Sequence, residues 1–196
     1  PYTMRTKDLI AKRLRREKAL QRKNRNQQES KRVPTSEVRE LEYTIPSGFP
    51  EDVQAEAQRL PIASIPTQEL LRRRDMRDVL TFTIDPDEAK DFDDALSFQI
   101  LDTGNYQIGI HIADVTHYVH EQTALDEEAY RRGTSIYLVD KVIPMLPERL
   151  SNELCSLRPN EDKLCMSVIV EMDPNAKVLR HKICRTVICS DRRLTY

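Results

Sequence analysis

The sequence predicts an α+β fold: a largely antiparallel sheet with flanking short helices, preceded by a helical lead-in. Three observations carry this. In YQIGIHIADV the residues Ile108, Ile110 and Ile112 alternate with the period of a strand, setting His111 opposite the apolar face. Two turn signals, DTGN and Asp173-Pro174-Asn175, each separate a pair of β-rich runs. Short stretches with helix start and stop residues lie before and between those runs.

In chain order, residues 1–33 come first, a basic segment without an internal Pro or Gly after residue 3 and with a thin apolar stripe of Leu9, Ile10, Leu14 and Leu20. It reads as a basic arm or helix. Residues 34–75 read as the helical lead-in. In SGFPEDVQAEAQRLP, Pro50 suits a first helical position, Glu51 and Asp52 favour the N-terminal dipole, and Pro61 closes the helix. IPTQELLRRRDMRD offers a second helix with Thr67 as its cap. Residues 76–196 then carry the sheet. VLTFTI is a β-rich run, ALSFQIL and YQIGIHIADV form a hairpin, and TALDEEAYRRG is a short helix stopped by Gly133. TSIYLVDKVIPML is extended, PERLSNELCSL is a short helix, and a second hairpin turns at Asp173-Pro174-Asn175.

Composition narrows the function classes. The chain has 196 residues, 32% of them charged, with a net charge of −1. That average hides a split: residues 1–33 carry twelve basic and three acidic residues, about +9, and the remainder about −10. Such asymmetry is a prompt to look for nucleic acid, the arm reading either as a solvated helix face or tail or as an electrostatic contact for phosphates. No run has the length of a membrane span and no signal peptide opens the chain, whose Pro1 reads as a processed or cut end. Cys155, Cys165, Cys184 and Cys189 sit in apolar, strand-like text, without zinc-site spacing. They read as reduced core cysteines of a cytoplasmic protein.

The chemistry concentrates in TIDPDEAKDFDDALS, residues 83–97. It holds Asp85, Asp87, Glu88, Asp91, Asp93 and Asp94, offset only by Lys90. A solvated loop is one reading of it; against that reading, apolar runs on both sides hold the ends of this stretch near a core. Carboxylates packed this closely raise one another's proton affinity or attract a cation. Hard divalent cations, Mg²⁺ above all, bind through a few carboxylates plus substrate phosphate. An extended segment would put Asp91 and Asp93 on one face and Asp94 on the other, and a loop can return Asp85 beside Asp94. An EF-hand fails here, because counting from Asp85 its sixth position is Lys90 and its twelfth is Leu96. Two further groups carry possible chemistry. His111, Asp114 and His117 form HxxDxxH, read here as scaffold. Arg149, Asn152 and Arg158 suit either phosphate contacts or local capping and salt bridges.

TFTIDPDEAKDFDDALS, then IGIHIADVTHYV, then AYRRGTSIYLVDKVIPMLPERLSNELCSLRPNEDKLCMSV occur in one order. Together they resemble the RNB-type catalytic domain of the ribonuclease II / ribonuclease R family, most of all its bacterial ribonuclease R branch. The resemblance covers about residues 76–196, with IPSGFPEDVQAEA resembling the family's lead-in. It implies a processive Mg²⁺-dependent 3′→5′ exoribonuclease that hydrolyses single-stranded RNA to nucleoside 5′-monophosphates. It implies Asp85 and Asp94 as metal ligands, and Asp93 and Asp91 as catalytic, Asp93 essential and Asp91 supporting. It implies Tyr137 as the aromatic that positions the 3′-terminal nucleotide, and it leaves Arg149 and Arg158 as substrate contacts. A cytoplasmic protein, monomeric when intact and without a membrane partner, goes with this reading.

The chain also departs from the family. The family's domain continues about as far again past RLTY and carries a later arginine and glutamate of the active site. Cold-shock barrels stand upstream in the family, where residues 1–33 do not align. The sequence therefore reads as the N-terminal half of such a domain, and its alternative is a catalytically incomplete RNA-binding fragment or remnant.

Overall fold

The computed structural model describes residues 48–61, 65–139 and 141–196. The basic arm expected over 1–33, and the lead-in before Gly48, lie outside the described residues. Two units are distinguished, Pro46–Leu138 with Val142–Tyr196, and Pro1–Ile45 with Val139–Lys141. The architecture below is that of the former.

Two helices lead in. Helix α1 spans Glu51–Arg59 and buries Val53 and Ala57, which lie four apart on one face. Pro50 stands at the N-cap, one residue before the position expected of it, and its carbonyl accepts the Gln54 N–H at 3.0 Å. Helix α2, Thr67–Arg72, is shorter than expected. Its N-cap is Pro66, so Thr67 is the first helical residue and makes no side-chain cap bond. The chain turns extended at Arg73 because its guanidinium is drawn inward to Asp114 and Met76 enters the core, at 1% exposure. Arg74–Asp75 become an edge strand, β1.

The remaining strands are β2 (Thr81–Ile84), β3 (Asp94–Ile100), β4 (Tyr106–Ala113), β5 (Ile136–Tyr137), β6 (Val142–Ile143), β7 (Asp162–Met172), β8 (Val178–Cys189) and β9 (Arg192–Leu194). Seven of the nine strands form one sheet in the order β1-β8-β7-β4-β3-β2-β9. Its interior ladders are antiparallel, while the edge strands β1 and β9 join in parallel. Both expected hairpins form. The first turns at Gly104, with φ of 79°. In the second, the Asp173 carboxylate accepts the N–H groups of Asn175 and Lys177, each at 2.9 Å. Among its described residues, the segment expected to be extended, 134–146, pairs as the short ladder β5–β6. Helix α3, Ala124–Arg132, starts on Thr123 and stops at Gly133 with φ of 73°, as its sequence dictates. The helix read in PERLSNELCSL is a wide π turn, Arg149–Leu154, closed by the Cys155 N–H on the Leu150 carbonyl at 2.8 Å.

The core gathers Val53, Met76, Phe92, Leu125, Leu150 and Leu157 from helices and loops against Ala95, Ala113, Cys165 and Ile188 of the sheet. All four cysteines carry free thiols, and burial pushes those of Cys155 and Cys165 up to about 12.

The alternation of β4 has an unusual sense of burial. His111 does lie opposite the isoleucines, but its face is the buried one: His111 is 0% exposed and Ile112 48%. The inner face carries a polar ladder across neighbouring strands. His111 Nδ1 and Nε2 meet the hydroxyls of Ser167 (2.7 Å) and Ser97 (2.9 Å), and Ser167 meets Thr186 at 2.6 Å. The outer face shows Phe98, Ile110, Ile112, Met166 and Ile183 to solvent. An imidazole satisfied on both nitrogens can be buried, so period-two hydrophobicity alone does not choose the inner face.

Two expectations follow from this ladder. A methyl at Gly109 would run into Ser97 Oγ and the His111 ring, so Gly109→Ala is expected to lose about 1–3 kcal/mol by chemical denaturation. Desolvation pushes His111 down to about 4. The folded state then binds fewer protons than the unfolded chain between that value and about 6.5. Its contribution is intact above about 6.5 and falls away as pH drops toward 4, by roughly 3 kcal/mol. His111→Gln, compared with the parent in urea melts across that window, should show a flatter pH dependence.

Candidate active site

The acidic loop, residues 85–93, leaves β2 and returns as β3. At its start, the Asp85 N–H donates to the Leu194 carbonyl of β9 at 3.0 Å. A turn follows, closed by the Ala89 N–H on the Pro86 carbonyl at 3.0 Å. On the return, Ser156 fastens the backbone twice. Its hydroxyl accepts the Phe92 N–H at 3.0 Å and donates to the Lys90 carbonyl at 2.8 Å. The Leu157 N–H adds a bond to the Phe92 carbonyl at 2.9 Å, and the Ala113 N–H one to Asp93 at 3.0 Å. The Phe92 ring is buried at 6% exposure, so the loop is anchored by one aromatic while the carboxylates beside it stay outside the core.

The four aspartates lie within electrostatic reach of one another around Asp93. Partial desolvation, then the charges of Asp91, Asp94 and Asp85, push the Asp93 carboxyl above its ordinary range, although the side chain is exposed. All four expected aspartates are therefore electrostatic neighbours. Asp94 is the first residue of β3, on the outer sheet face beside Ile112. Asp85 Oδ2 is buried and has no hydrogen-bond donor.

Tyr137 of β5 joins them from a distance in sequence. Its hydroxyl donates to Asp91 Oδ2 at 2.7 Å, and that bond, with some desolvation, pushes the phenol up to about 12. Its ring stays 64% exposed, open for a planar ligand. The expected arginines are placed differently. Arg149 donates to the Leu60 carbonyl at the end of α1, at 2.7 Å, and keeps a buried, partnerless Nε. Arg158 pairs with Glu161 at 3.5 Å and lines a cavity of about 370 Å³ with Lys90, Phe92, Asn152 and Arg193, behind the acidic loop.

HxxDxxH is not assembled as a site. His111 belongs to the buried ladder, Asp114 pairs with Arg73 at 2.7 Å, and His117 faces Glu69 at 3.8 Å. Among the described residues, no three His, Cys, Asp or Glu side chains are gathered closely enough to hold a metal ion by themselves. The acidic loop nonetheless fits a hard cation. It has an orphaned carboxylate oxygen at Asp85 and mutual repulsion focused on Asp93. Mg²⁺ asks for only one or two carboxylates beside water and phosphate oxygens.

Sequence reasoning missed Ser156 and Arg193, which organise the loop. Each is a common residue type lying 64 and 107 positions from its partner, and no local pattern marks either.

Comparison with known proteins places the chain in a family. Residues 73–196 match the RNB domain. A ribonuclease R of Thermotoga maritima is 52% identical over 151 residues, covering 77% of this chain and 21% of the relative. A ribonuclease R of Lactococcus lactis is 47% identical, covering 78% of this chain and 18% of the relative. Among solved structures, Mycoplasma genitalium RNase R in complex with ribose-methylated single-stranded RNA matches with a TM-score of 0.73 at 34% identity, over 80% of this chain and 24% of that one. The chain thus spans about a fifth of the length of these relatives. Matched over most of its length by that domain, the chain belongs to the RNB domain family.

Proposed function

We propose that the protein carrying these residues is a Mg²⁺-dependent 3′→5′ exoribonuclease that hydrolyses single-stranded RNA to nucleoside 5′-monophosphates. Residues 76–196 are the N-terminal half of its catalytic domain, 34–75 the lead-in and 1–33 a basic arm. The observation that carries the reading is the convergence of Asp85, Asp91 and Asp94 on Asp93, with one Asp85 oxygen buried and unbonded.

Asp85 and Asp94 are the residues to hold Mg²⁺. Bound there, the ion would supply positive charge to the scissile phosphate and lower the pKa of a water. Asp93, with its raised proton affinity, is placed to orient the attacking water and take its proton. Asp91 acts through Tyr137, fixing the phenol so that its exposed ring can stack on the 3′-terminal base. Arg158, in the cavity behind the loop, is a phosphate contact. Arg149 is kept as a substrate contact on the resemblance alone, since its Nη2 secures the end of α1 and its Nε is buried. Single-stranded RNA is the partner and the intact protein is a monomer. Four free thiols accord with the cytoplasm, and no described helix is long and apolar enough to cross a membrane.

The test is incubation of the protein with 5′-labelled single-stranded RNA and Mg²⁺. Progressive shortening from the 3′ end, releasing 5′-monophosphates and stopping in chelator, is expected. Shortening that persists without divalent cations would overturn the metal reading. A second reading is favoured by the apolar outer sheet face, with Ile183 66% exposed: an incomplete domain that binds RNA without turnover. It is distinguished by salt-dependent RNA binding with no shortening under any metal, and by a flatter salt slope once 1–33 are deleted.

A further inference from the structure

Strand β9 grips the acidic loop on both limbs, and one side chain does most of it. In the parallel β2–β9 ladder Arg193 stands opposite Thr83, two residues before Asp85. Its Nη2 donates to the carbonyls of Pro86 (2.6 Å) and Asp87 (2.7 Å), immediately after Asp85. Its guanidinium carbon lies 4.9 Å from the centre of the Phe92 ring, immediately before Asp93. One cation therefore ties the outgoing and the returning limbs together. The neighbouring backbone bond, from Asp85 N–H to the Leu194 carbonyl, comes from the same strand.

The choice of acceptors matters. A loop that crowds four carboxylates is driven open by their repulsion, and positive charge nearby counters this. A guanidinium usually takes carboxylates in a two-pronged grip. Arg193 donates instead to two main-chain carbonyls, which leaves the carboxylate oxygens available to a cation. It adds charge and closes the loop without competing for the ligands.

We propose that Arg193 is a positioning residue that holds the carboxylate loop in its cation-binding shape. This rests on the metal reading given above, and it is tested by two independent readouts on the 196-residue chain: amide exchange without metal, and Mg²⁺ titration followed by melting temperature. Arg193→Met keeps the length and removes the donors. Exchange at Ala89 and Phe92, whose N–H groups are bonded within and behind the loop, should quicken about tenfold. The apparent Mg²⁺ affinity should fall about tenfold, the worth of one charge-assisted hydrogen bond. Arg193→Lys, able to serve one carbonyl, should recover part of both. A merely structural role would lower the metal-free melting temperature and leave the Mg²⁺ affinity and the local exchange unchanged, which overturns the proposal. Should Arg193→Met fail to fold, Arg193→Lys decides alone, and an unchanged Mg²⁺ affinity in it likewise overturns the proposal. If the parent itself ignores Mg²⁺, the metal reading fails, while amide exchange still decides whether Arg193 clamps the loop.

Discussion

Asp93→Asn is expected to lower RNA hydrolysis on the order of 10³-fold while leaving RNA binding within about threefold of the parent. The amide keeps the size of the side chain and cannot accept a proton. It also removes the charge on which Asp91, Asp94 and Asp85 press. The sign of the stability change follows. A carboxyl whose proton affinity is raised in the folded state weakens that state as pH rises through the ordinary aspartate range. The variant should therefore melt at or above the temperature of the parent at neutral pH. Loss of turnover together with unchanged or higher stability identifies a chemical role. Retained turnover would remove Asp93 from the mechanism, and loss accompanied by unfolding would make it a fold residue. Measurements of single-turnover rate, equilibrium RNA binding and melting on the same preparation separate these outcomes.

Arg73→Met is expected to destabilise the domain by about 3–5 kcal/mol, lowering the melting temperature by roughly 10 °C. The Arg73 side chain is fully buried and its partner Asp114 is 3% exposed, with 2.7 Å between Nη2 and Oδ2. Arg73 also donates from Nε to Glu69 at 3.1 Å and from Nη1 to the Cys165 carbonyl at 3.4 Å. It thereby ties α2 to the interior strands. Burial raises the proton affinity of Asp114, but the Thr116 hydroxyl and then the Arg73 guanidinium outweigh it and hold the carboxyl below its ordinary range. Methionine fills the volume and leaves that carboxylate with Thr116 and, at 3.9 Å, Arg185. Its contribution in the parent is present above the ordinary aspartate pKa and is lost as pH falls through the depressed value. In Arg73→Met that acid limb should shift toward higher pH. Adding Asp114→Asn should restore part of the loss, and urea melts of both single variants and the double variant give the coupling directly. Additive effects would show that the pair is not the source of the stability.

How much of this was legible in the sequence depends on the range of the interaction. Helix α3 could be read whole, because Thr123, Asp126 and Gly133 are a local start and stop. Both hairpins could be read, because turn residues and alternation act within a few positions. The acidic loop was legible as chemistry, because like charge in that density demands a compensating ligand. The identity of the four aspartates came from their resemblance to a family, and their convergence from the fold. Helix α2 shows the opposite case. Its local text reads as helix on to Asp78, and the pull of Asp114 on Arg73, 41 positions away, ends it at Arg72. The position of Tyr137 against Asp91, 46 residues apart, had no sequence signal beyond the resemblance.

The sequence by itself determined the class of the fold, the order of most elements and the chemical character of residues 83–97. Those follow from periodicity, turn chemistry and charge density, which neighbouring residues settle among themselves. Only the tertiary structure decided which sheet face is buried, where β1 and β9 attach, and what holds the acidic loop closed. These depend on partners brought together by folding. A histidine with both nitrogens bonded can be buried while isoleucines face water, and an arginine from the far end of the chain can close a loop it never neighbours in sequence.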